Sequence, residues 1–481
     1  MKRKAGEKKY LRVIGVSIFW LVVWQTAAMI VNNPLFLPGP IEIVTTLAGL
    51  AMTGNFYLSV IWTMGRCFVA IILSLGLGGL FAYLGYRHRL VRDVVSLPIA
   101  FFKAVPVMAV VIYIILLVES NWVGVVVCTL MCLPIAYTNI LEGLFAVDEK
   151  LVEVSRIYGL SESDFFRLVQ FPSVLPYLKA ALSLIAGISW KAVVAAEVLS
   201  IPRYSLGSEM LNAKYYLETP KLFAYIAVIV ALSILLEKTI KKFVSGLDWK
   251  PYENSRMISR HIQSESHLKG KLYRAKDQIP PSITIAEGNK SYGKNKVLDN
   301  VNLTINSGER VALLGHSGCG KTTLARTICG LEELDSGKVT VKPQTNCAYL
   351  FQEDRLLPWL NVYDNIALGL YEKKEEQAEN PDTVIRNLAQ QLELEKDIWK
   401  LPCELSGGMQ HRVALGRTFA AEKKLIILDE PFRGLDEDLK ERLIKRLWNE
   451  QVAGRTLLLI THDKEDAKNL AERVIEFNFW K

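Results

Sequence analysis

The stretch RVALLGHSGCGKTT, residues 310–323, establishes the architecture of the second half of the chain. Its apolar run predicts a buried strand, a glycine-rich turn follows, and the residues after Lys321 predict a helix. Glycines let backbone N–H groups surround phosphate oxygens, and a helix starting there adds its positive end. The pattern G-x-x-x-x-G-K-T therefore predicts a phosphate-binding loop rather than a chance glycine-rich turn. The expected nucleotide-binding residues of this loop are Gly315, Ser317, Gly318, Cys319, Gly320, Lys321, Thr322 and Thr323.

Two acidic residues supply further parts of a phosphoryl-transfer site. Asp429 ends the apolar run LIILD, where its carboxylate can hold Mg²⁺ together with the Thr322 hydroxyl. Glu430 follows directly and can polarise a water for attack on the γ-phosphate. The runs RVALLG, KLIILDE and TLLLITHD alternate with helical patterns, which predicts an α/β domain with a largely parallel sheet.

The segment LSGGMQHR, residues 405–412, resembles the signature motif of ATP-binding cassette (ABC) proteins. The resemblance implies that ATP is the nucleotide and that Mg²⁺ accompanies it. It implies that Tyr292 stacks on adenine, that Gln352 senses Mg²⁺ and the attacking water, and that His462 acts at the γ-phosphate. The expected catalytic residues are then Glu430, His462 and Gln352, the expected metal ligands Thr322, Gln352 and Asp429, and the further nucleotide-binding residues Ser406, Gly407, Gly408 and Asp436.

The family resemblance also implies that the signature lies far from the phosphate loop of the same cassette. A complete ATP site then needs two cassettes, and because this chain carries one, a homodimer with two equivalent sites is expected. A different partner chain is the alternative. The sequence departs from the family at Met409 and at Arg433 and Gly434 of the D-loop, and the region 337–352 is short. No regulatory domain is expected after the cassette.

The first half of the chain contains long uncharged apolar runs that stop near Trp249. Runs of this length can cross a hydrocarbon core about 30 Å thick. We therefore predict an all-α polytopic membrane domain of about six helices, similar to the permeases of type I importers. A cleaved signal peptide is the alternative for the first run. The expected spans, of which the third and fourth form a tight hairpin, are 13–31, 58–85, 94–118, 122–146, 174–199 and 222–246.

Basic residues predict the orientation, because Lys and Arg remain on the cytoplasmic side of membrane segments. The N-terminus, the segment after the second span and the end of the sixth span are basic, whereas residues 32–56 contain no Lys or Arg. We expect a multi-pass protein of a bacterial-type inner membrane with both termini in the cytoplasm. These basic flanks account for the net charge of +8 without a nucleic-acid partner. The seven scattered cysteines are expected to be reduced thiols.

The predicted domains are a basic tail (1–12), a permease domain (13–247), a polar linker (248–281) and the cassette (282–481). A charged insert in the permease, residues 148–172, resembles the E-A-A-x₃-G-x₉-I-x-L-P loop of ABC importer permeases. Glu153, Gly159 and Pro172 carry that resemblance. We call residues 148–172 the coupling segment.

The coupling segment has its own helix signals. Gly159 can end one helix, and Ser161 can start the next with Asp164 three residues later. Phe165 and Phe166 then offer apolar anchors. We predict that this second helix docks on the cassette near Gln352 and transmits closure of the ATP dimer to the spans. A helix lying on the lipid surface is the alternative.

The stretch FQEDRLLPWLNVYDNIALGL, residues 351–370, resembles the nitrate/sulfonate/taurine importer cassettes. The resemblance implies import of a small solute delivered by an external binding protein. That group also carries bicarbonate, thiamine precursors and riboflavin. An exporter and an ATP-driven membrane regulator are the competing function classes.

Ionisable residues inside the predicted spans are candidates for a substrate path, because charges there are costly and usually face a cavity or a partner. Three cations among them favour an anionic cargo. The alternative is that Arg66 or Lys191 pairs with Glu197 or reaches the membrane surface. The candidates are Arg66, Lys103, Lys191 and Glu197.

Overall fold

The protein is seen in a computed structural model that describes residues 2–246, 258, 279–316, 318–371 and 380–477. The side chains of residues 2–11, 13 and 14 are not part of that description. The chain divides into two compact units, one formed by 1–146 with 173–248 and the other by 147–172 with 249–481. The predicted fold class, a helical membrane-type domain joined to an α/β domain, is confirmed. Apart from Ile258 and residues 279–281, the predicted linker lies outside the described residues.

Helices account for the first unit and for the coupling segment. The membrane-type helices are α1 Lys2–Val31, α2 Pro40–Leu50, α3 Gly54–Arg87, α4 Arg89–Ala104, α5 Val107–Ile115, α6 Ser120–Phe145, α9 Phe171–Ser200, α10 Leu206–Tyr215 and α11 Thr219–Gly246. The coupling segment contributes α7 Glu149–Ile157, α8 Glu162–Phe165 and the π-helix Phe166–Gln170.

Helices α3 and α6 form the centre of the first unit. The buried face of α3 repeats at helical spacing and is rich in small residues, among them Ala70, Ser74 and Gly78. A Cβ at Gly78 would lie 2.6 Å from the Ala136 Cβ of α6, so only glycine allows this approach. Close packing through small residues is typical of helices that associate in a lipid environment.

The predicted span over residues 94–118 does not form one continuous helix. Helices α4 and α5 meet at an angle of 105°, and the backbone of Val105 and Pro106 between them is extended. Proline lacks the N–H that would continue the helix, and it also disfavours helical geometry at the preceding residue.

The described part of the chain contains fewer membrane-length helical stretches than the six predicted spans. Among the described residues, four helical stretches are long and apolar enough to cross a membrane, and the bent pair would make a fifth. The predicted first span falls in α1, where the described apolar part, 15–31, is shorter. The four stretches are Gly54–Arg87, Ser120–Phe145, Glu162–Ser200 and Thr219–Gly246.

Two helices of the first unit were not predicted. Helix α2 begins at Pro40, which suits the first helical position because its missing N–H would have no partner there. Helix α10 is capped by Ser205, whose hydroxyl accepts a hydrogen bond from the Ser208 N–H. Both helices are shorter than a membrane span, so long apolar runs in the sequence did not indicate them.

The second unit contains two sheets. An antiparallel sheet has the strand order β2-β1-β4, and a parallel sheet has the order β5-β6-β7-β3-β8. Strands β5, β6 and β7 consist entirely of buried residues, as expected for a parallel sheet that is covered on both faces. The strands are β1 Ser282–Tyr292, β2 Asn295–Ile305, β3 Arg310–Leu314, β4 Ser336–Lys342, β5 Cys347–Leu350, β6 Leu425–Asp429, β7 Thr456–Thr461 and β8 Arg473–Glu476.

Helices flank the parallel sheet and place the motifs. They are α12 Lys321–Ile328, α13 Val362–Ala367, α14 Pro381–Gln391, α15 Gly407–Ala420, α16 Glu437–Leu443, α17 Asn449–Val452 and α18 Lys464–Leu470, with a π-helix at Ile444–Trp448 and short 3₁₀ turns at Leu368–Leu370, Glu395–Asp397 and Pro402–Glu404.

The coupling segment packs with the second unit and has the predicted helix boundaries. Gly159 adopts a φ of +67° just after α7, a conformation that glycine adopts without strain. The Ser161 hydroxyl accepts a hydrogen bond from the Asp164 N–H and so caps α8. The segment was assigned to the permease from its place in the sequence, but its described contacts place it with the second unit. The other predicted domain boundaries stay predictions.

Candidate functional site

Parallel strands bring four motif residues to one edge of the sheet. Gly315 follows β3, Gln352 lies just beyond β5, Glu430 follows β6 and His462 follows β7. Because the strands are parallel, their carboxyl ends meet at the same edge, where ligands bind in open α/β sheets. These four residues line one cavity of about 610 Å³. The structure therefore brings together residues that are far apart in sequence.

The glycines of the phosphate loop meet specific steric requirements. A Cβ at Gly315 would lie 2.7 Å from the Phe477 carbonyl oxygen. Gly320 has a φ of +96°, and a Cβ there would lie 2.8 Å from the Val297 oxygen. Gly318 also has a positive φ, +83°. Ser317, predicted to bind phosphate, lies outside the described residues.

Lys321 holds the centre of the loop. Its ammonium group donates hydrogen bonds to the carbonyl oxygens of Gly315 at 2.7 Å and His316 at 2.8 Å, and the residue is buried. It is also the first residue of α12, so its positive charge lies at the positive end of a helix. A buried cation in a cradle of backbone groups fits a polyanion such as the phosphates of ATP.

The candidate metal site lies beside this loop. The Thr322 hydroxyl donates a hydrogen bond of 2.8 Å to the Asp429 carboxylate, which is buried at the end of β6. Burial raises the pKa of Asp429 to about 6. Hydroxyl and carboxylate oxygens are the ligands that Mg²⁺ prefers, and a bound dication would keep the carboxylate ionised. The donor set therefore fits Mg²⁺.

Glu430 and His462 are in direct contact. The Glu430 carboxylate lies 3.2 Å from His462 Nδ1, and the Glu430 backbone N–H donates to the Ile460 carbonyl oxygen at 2.9 Å. Glu430 has a φ of +53°, an unusual value for a residue with a side chain. Such backbone strain is often found at functional sites. Gln352 lines the same cavity, although its metal and catalytic roles stay predictions.

The signature residues lie elsewhere in the cassette. Ser406 caps α15 by accepting a hydrogen bond from the Met409 N–H, and Gly407 is exposed. A Cβ at Gly408 would lie 3.3 Å from the Gly434 carbonyl oxygen, so the signature packs on the D-loop. Asp436 caps α16 through the Leu439 N–H. Within the described residues, the cavity lining does not include the signature.

The D-loop departure from the family pattern has a structural explanation. Gly434 adopts a φ of +72°, which favours glycine over the alanine that is usual there. The Arg433 guanidinium lines the cavity and donates a long hydrogen bond of 3.4 Å to the Gln352 carbonyl oxygen. This contact joins the D-loop to the Gln352 loop.

The predicted adenine-stacking residue ends β1. The Tyr292 ring is 48% exposed, which leaves a face available for a nucleotide base. Its hydroxyl donates a hydrogen bond to Glu332. Tyr292 is not among the residues that line the cavity described above.

The coupling segment contacts the cassette through Glu153. The Arg326 guanidinium donates two hydrogen bonds to this carboxylate, at 2.9 and 2.7 Å, and Arg355 donates another. Burial alone would raise the pKa of Glu153, but the hydrogen bonds from Arg326 and Arg355 outweigh it and lower the pKa. Arg326 belongs to α12, and Arg355 lies three residues after Gln352. The coupling segment therefore contacts the cassette near Gln352, but through α7 and not through the second helix, α8, to which the prediction assigned this docking.

Further contacts extend along the same segment. The Tyr158 hydroxyl lies 3.4 Å from the Thr418 hydroxyl, and the Arg417 guanidinium lies 5.3 Å from the centre of the Tyr158 ring. The Trp359 indole N–H donates a hydrogen bond of 2.7 Å to the Leu168 carbonyl oxygen. The coupling segment thus contacts the signature helix α15 as well as the Gln352 loop.

The apolar anchors differ in part from those predicted. Phe165 is partly buried against the core of the second unit, whereas Phe166 is 41% exposed and lies near Phe171. The fully buried apolar residues here are Leu168 and Val169. The π-helix that begins at Phe166 changes the helical phase, so the sequence alone did not reveal which side chains face inward. Pro172 lies in the first turn of α9, where a proline is tolerated.

Sequence reasoning missed the cassette side of this contact. Single residues without a motif gave no sequence signal, although Trp359 and Arg355 fall inside the stretch quoted above for its family resemblance. The missed residues are Arg326, Glu332, Arg355, Trp359, Arg417 and Thr418.

The four candidates for a substrate path separate into two groups. Arg66 and Glu197 are buried and form an ion pair of 2.8 Å, which matches the alternative weighed from the sequence. The Thr63 hydroxyl also donates to Glu197 at 3.0 Å. Lys103 and Lys191 are exposed on the surface of one copy of the chain. A role for any of the four in substrate passage stays a prediction.

Comparison with known families supports both halves of the chain. Residues 298–433 match the family model described as ABC transporter. Residues 74–240 match the model described as binding-protein-dependent transport system inner membrane component. One polypeptide therefore contains a segment similar to ABC transporter ATPases and a segment similar to transport-system inner membrane components.

Similar proteins align with the cassette part of the chain. The sulfate/thiosulfate import ATP-binding protein CysA of Pectobacterium atrosepticum is 37% identical over 212 residues, which cover 41% of this chain and 64% of that protein. The spermidine/putrescine import ATP-binding protein PotA of Pasteurella multocida is 36% identical over 208 residues, covering 41% and 56%. The chain thus spans less than two thirds of these relatives. These relatives are named for sulfate/thiosulfate and for spermidine/putrescine import, whereas residues 351–370 resemble the nitrate/sulfonate/taurine importer cassettes.

One solved structure that is similar to part of this chain is a dimeric ATP-binding cassette in a post-hydrolysis state, bound to ADP and phosphate. It is 28% identical, and the alignment covers 40% of this chain and 93% of that one with a TM-score of 0.37.

Proposed function

We propose that this chain, an ABC ATPase domain fused to a binding-protein-dependent permease domain, is half of an ATP-driven importer for a small solute. The observation that carries the proposal is the contact of Glu153 with both Arg326 and Arg355. This contact connects the coupling segment, which resembles a permease loop, to α12 and to the loop that follows Gln352. Such a contact is what a machine needs if nucleotide chemistry is to move a membrane domain.

The geometry supports ATP hydrolysis by the cassette. Lys321 neutralises phosphate charge from within the loop, and the N-terminus of α12 adds to it. Glu430 orients a water and accepts its proton, while His462 fixes the Glu430 carboxylate at one side of the cavity. Thr322 and Asp429 would hold Mg²⁺, which would supply charge neutralisation to the transferred phosphoryl group.

The working unit is a homodimer. The signature residues Ser406–Gly408 do not line the cavity that holds Glu430 and His462 among the described residues. The helix N-terminus at Ser406 is suited to the γ-phosphate of a second copy, and two-fold symmetry then creates two equal sites. A different partner chain is the alternative.

The membrane side follows the orientation argued from charge. The protein resides in a bacterial-type inner membrane with both termini in the cytoplasm, and an external binding protein delivers the cargo from the other side. We propose a nitrate-, sulfonate- or taurine-like small solute as cargo, with a thiamine precursor, riboflavin or bicarbonate as alternatives. Relatives named for sulfate/thiosulfate and for polyamines have similar cassettes, so the cassette does not select the solute.

A liposome experiment tests the proposal. The purified full chain is reconstituted, the binding protein encoded beside its gene is supplied outside, and ATP is enclosed. Binding-protein-stimulated ATP hydrolysis and uptake of the binding protein's own ligand are expected, and Glu430→Gln should abolish both. Efflux of the solute would identify an exporter, and ATP hydrolysis without any solute movement would identify a regulator; either result would overturn the proposal.

A further inference from the structure

The Glu332 side chain lies between Tyr292 and Arg326 and accepts a hydrogen bond from each of them. One of its carboxylate oxygens accepts a hydrogen bond from the Tyr292 hydroxyl, and the other accepts one of 2.6 Å from Arg326 Nε. Its side chain is 19% exposed, and that of Arg326 is 18% exposed. The carboxylate therefore joins the aromatic residue at the end of β1 to the last turn of α12.

Arg326 continues this chain of contacts to the coupling segment. It uses Nε for Glu332 and both terminal nitrogens for Glu153, so all three nitrogens of its guanidinium are engaged. A planar guanidinium can bridge two carboxylates in this way, whereas the single ammonium of lysine cannot reproduce the geometry. The bonded chain then runs from Tyr292 through Glu332 and Arg326 to Glu153 without a gap.

We propose that Glu332 is a positioning residue that couples the base of the bound nucleotide to the coupling segment. A base stacked on Tyr292 restricts the motion of the ring and so of its hydroxyl. The hydroxyl then orients Glu332 through their hydrogen bond. Glu332 in turn orients the Arg326 guanidinium toward Glu153. The inference rests on the proposed function, since it assumes that Tyr292 receives the base of ATP. It goes beyond that function by assigning a residue outside the ABC motifs to communication between nucleotide and permease loop.

The charges make the arrangement sensitive to loss of one member. Arg326 and Arg355 face Glu153 and Glu332, so the group of four is electrically balanced. Loss of the Glu332 charge leaves Arg326 free to turn toward Glu153 alone and releases the Tyr292 hydroxyl. The coupling segment then remains docked but no longer senses the base.

Hydrogen–deuterium exchange on the full-length protein in lipid nanodiscs tests this coupling. Exchange of the peptide covering α7 is compared without ligand, with a non-hydrolysable ATP analogue, and with inorganic tripolyphosphate, which has no base. In the wild type, the analogue should slow exchange about five-fold more than tripolyphosphate does, a factor typical of coupled sites.

Three variants decide the outcome. Tyr292→Phe keeps the ring but lacks the hydroxyl, so at a saturating concentration of the analogue it should lose the difference between the two ligands. Glu332→Gln should lose it too. Asp335→Asn is the matched control, because Asp335 bonds Lys290 and Ser291 on the same strand, and it should keep the difference.

The results separate failure of this inference from failure of the proposed function. If Tyr292→Phe keeps the full ligand difference, or if Glu332→Gln behaves like Asp335→Asn, the role of Glu332 is refuted. If the wild type binds the analogue but shows no ligand difference, the inference is also refuted. If the wild type binds no analogue at all, the proposed function fails together with it.

Discussion

The Glu153 carboxylate is shared by two arginines that belong to different motifs of the cassette. Arg326 lies on the helix that begins at the phosphate loop, and Arg355 lies in the loop after Gln352. A change in the spacing of these two motifs must therefore alter the hydrogen bonds of Glu153. If the proposed function is correct, the Glu153 side chain responds to ATP-dependent movement of these two motifs.

Replacing Glu153 with glutamine should uncouple transport from hydrolysis. The variant loses the charge of a partly buried, charge-assisted contact worth about 1.5–3 kcal/mol, so solute uptake should fall about ten-fold or more. Basal ATP hydrolysis should change less than about two-fold, because Glu153 touches no candidate catalytic residue. Lys150→Met is the control: its ion pair with Glu353 is exposed and should matter little. Equal effects of the two variants on uptake would refute this account.

The pH dependence of the docking contact follows from the lowered pKa of Glu153. A carboxyl group with a folded-state pKa below its usual value of 4.5 adds stability that is fully present above that value. The stability is lost as the pH falls through the lowered pKa. The protection factor of the α7 amides, in which the pH dependence of intrinsic exchange is divided out, should therefore stay constant from neutral pH to about pH 5 and fall only below the usual pKa. Opening of α7 between pH 6 and 7 would contradict the assignment.

The buried ion pair of Arg66 and Glu197 lies where several elements of the first unit meet. Arg66 also donates to the backbone oxygens of Asn121, Arg203 and Tyr204 at 3.1–3.2 Å, so its guanidinium is well supplied with acceptors. These bonds connect α3, the start of α6 and the loop after α9.

Arg66→Met should destabilise the first unit, because it leaves the Glu197 carboxylate buried without its cation. Removal of one member of a buried pair costs about 3–5 kcal/mol. Lys191→Met, at an exposed site, should change the free energy of unfolding by less than about 0.5 kcal/mol. Denaturant unfolding in detergent, followed by tryptophan fluorescence, measures both. Comparable stability of the two variants would show that the Arg66–Glu197 pair does not stabilise this unit.

At the scale of elements, local signals predicted helix boundaries better than helix faces. Gly159 and Ser161 mark the end of α7 and the start of α8 as the sequence indicated, because Gly159 acts through its own backbone and the Ser161 hydroxyl bonds only three residues along the chain. The inward face after Phe166 could not be predicted, since a π-helix shifts the angle of every following side chain. The bend between α4 and α5 was also only partly predictable. Pro106 indicates that the helix is interrupted, but the angle between the two helices depends on packing.

The buried anchors of the coupling segment give a prediction at this scale. Leu168→Ala removes a buried side chain and should weaken docking by about 2–4 kcal/mol. Phe166→Ala, at a 41% exposed ring, should cost less than about 1 kcal/mol. The measurement is the exchange rate of the segment 148–172 in the full chain. A larger effect at Phe166 than at Leu168 would contradict the observed helical phase.

At the scale of the whole molecule, the sequence predicted a helical membrane-type domain and an α/β domain whose largely parallel strands carry the motifs. Gly315, Gln352, Glu430 and His462 each follow a strand, and parallel order alone places them together. The contacts of the coupling segment with Arg326 and Arg355 were not predictable, because they join residues far apart in sequence that belong to no common motif. Such tertiary contacts depend on the packed structure rather than on local pattern.

The central claim is that two copies of the chain enclose ATP between them, each copy supplying the signature to the phosphate loop of the other. Native mass spectrometry of the Glu430→Gln protein after incubation with ATP and Mg²⁺ tests this most directly. We predict a complex of two chains with two trapped nucleotides, and we predict that the additional change Gly408→Asp abolishes trapping. A single chain that traps one nucleotide, with a wild-type monomer that hydrolyses ATP at full rate, would contradict the account.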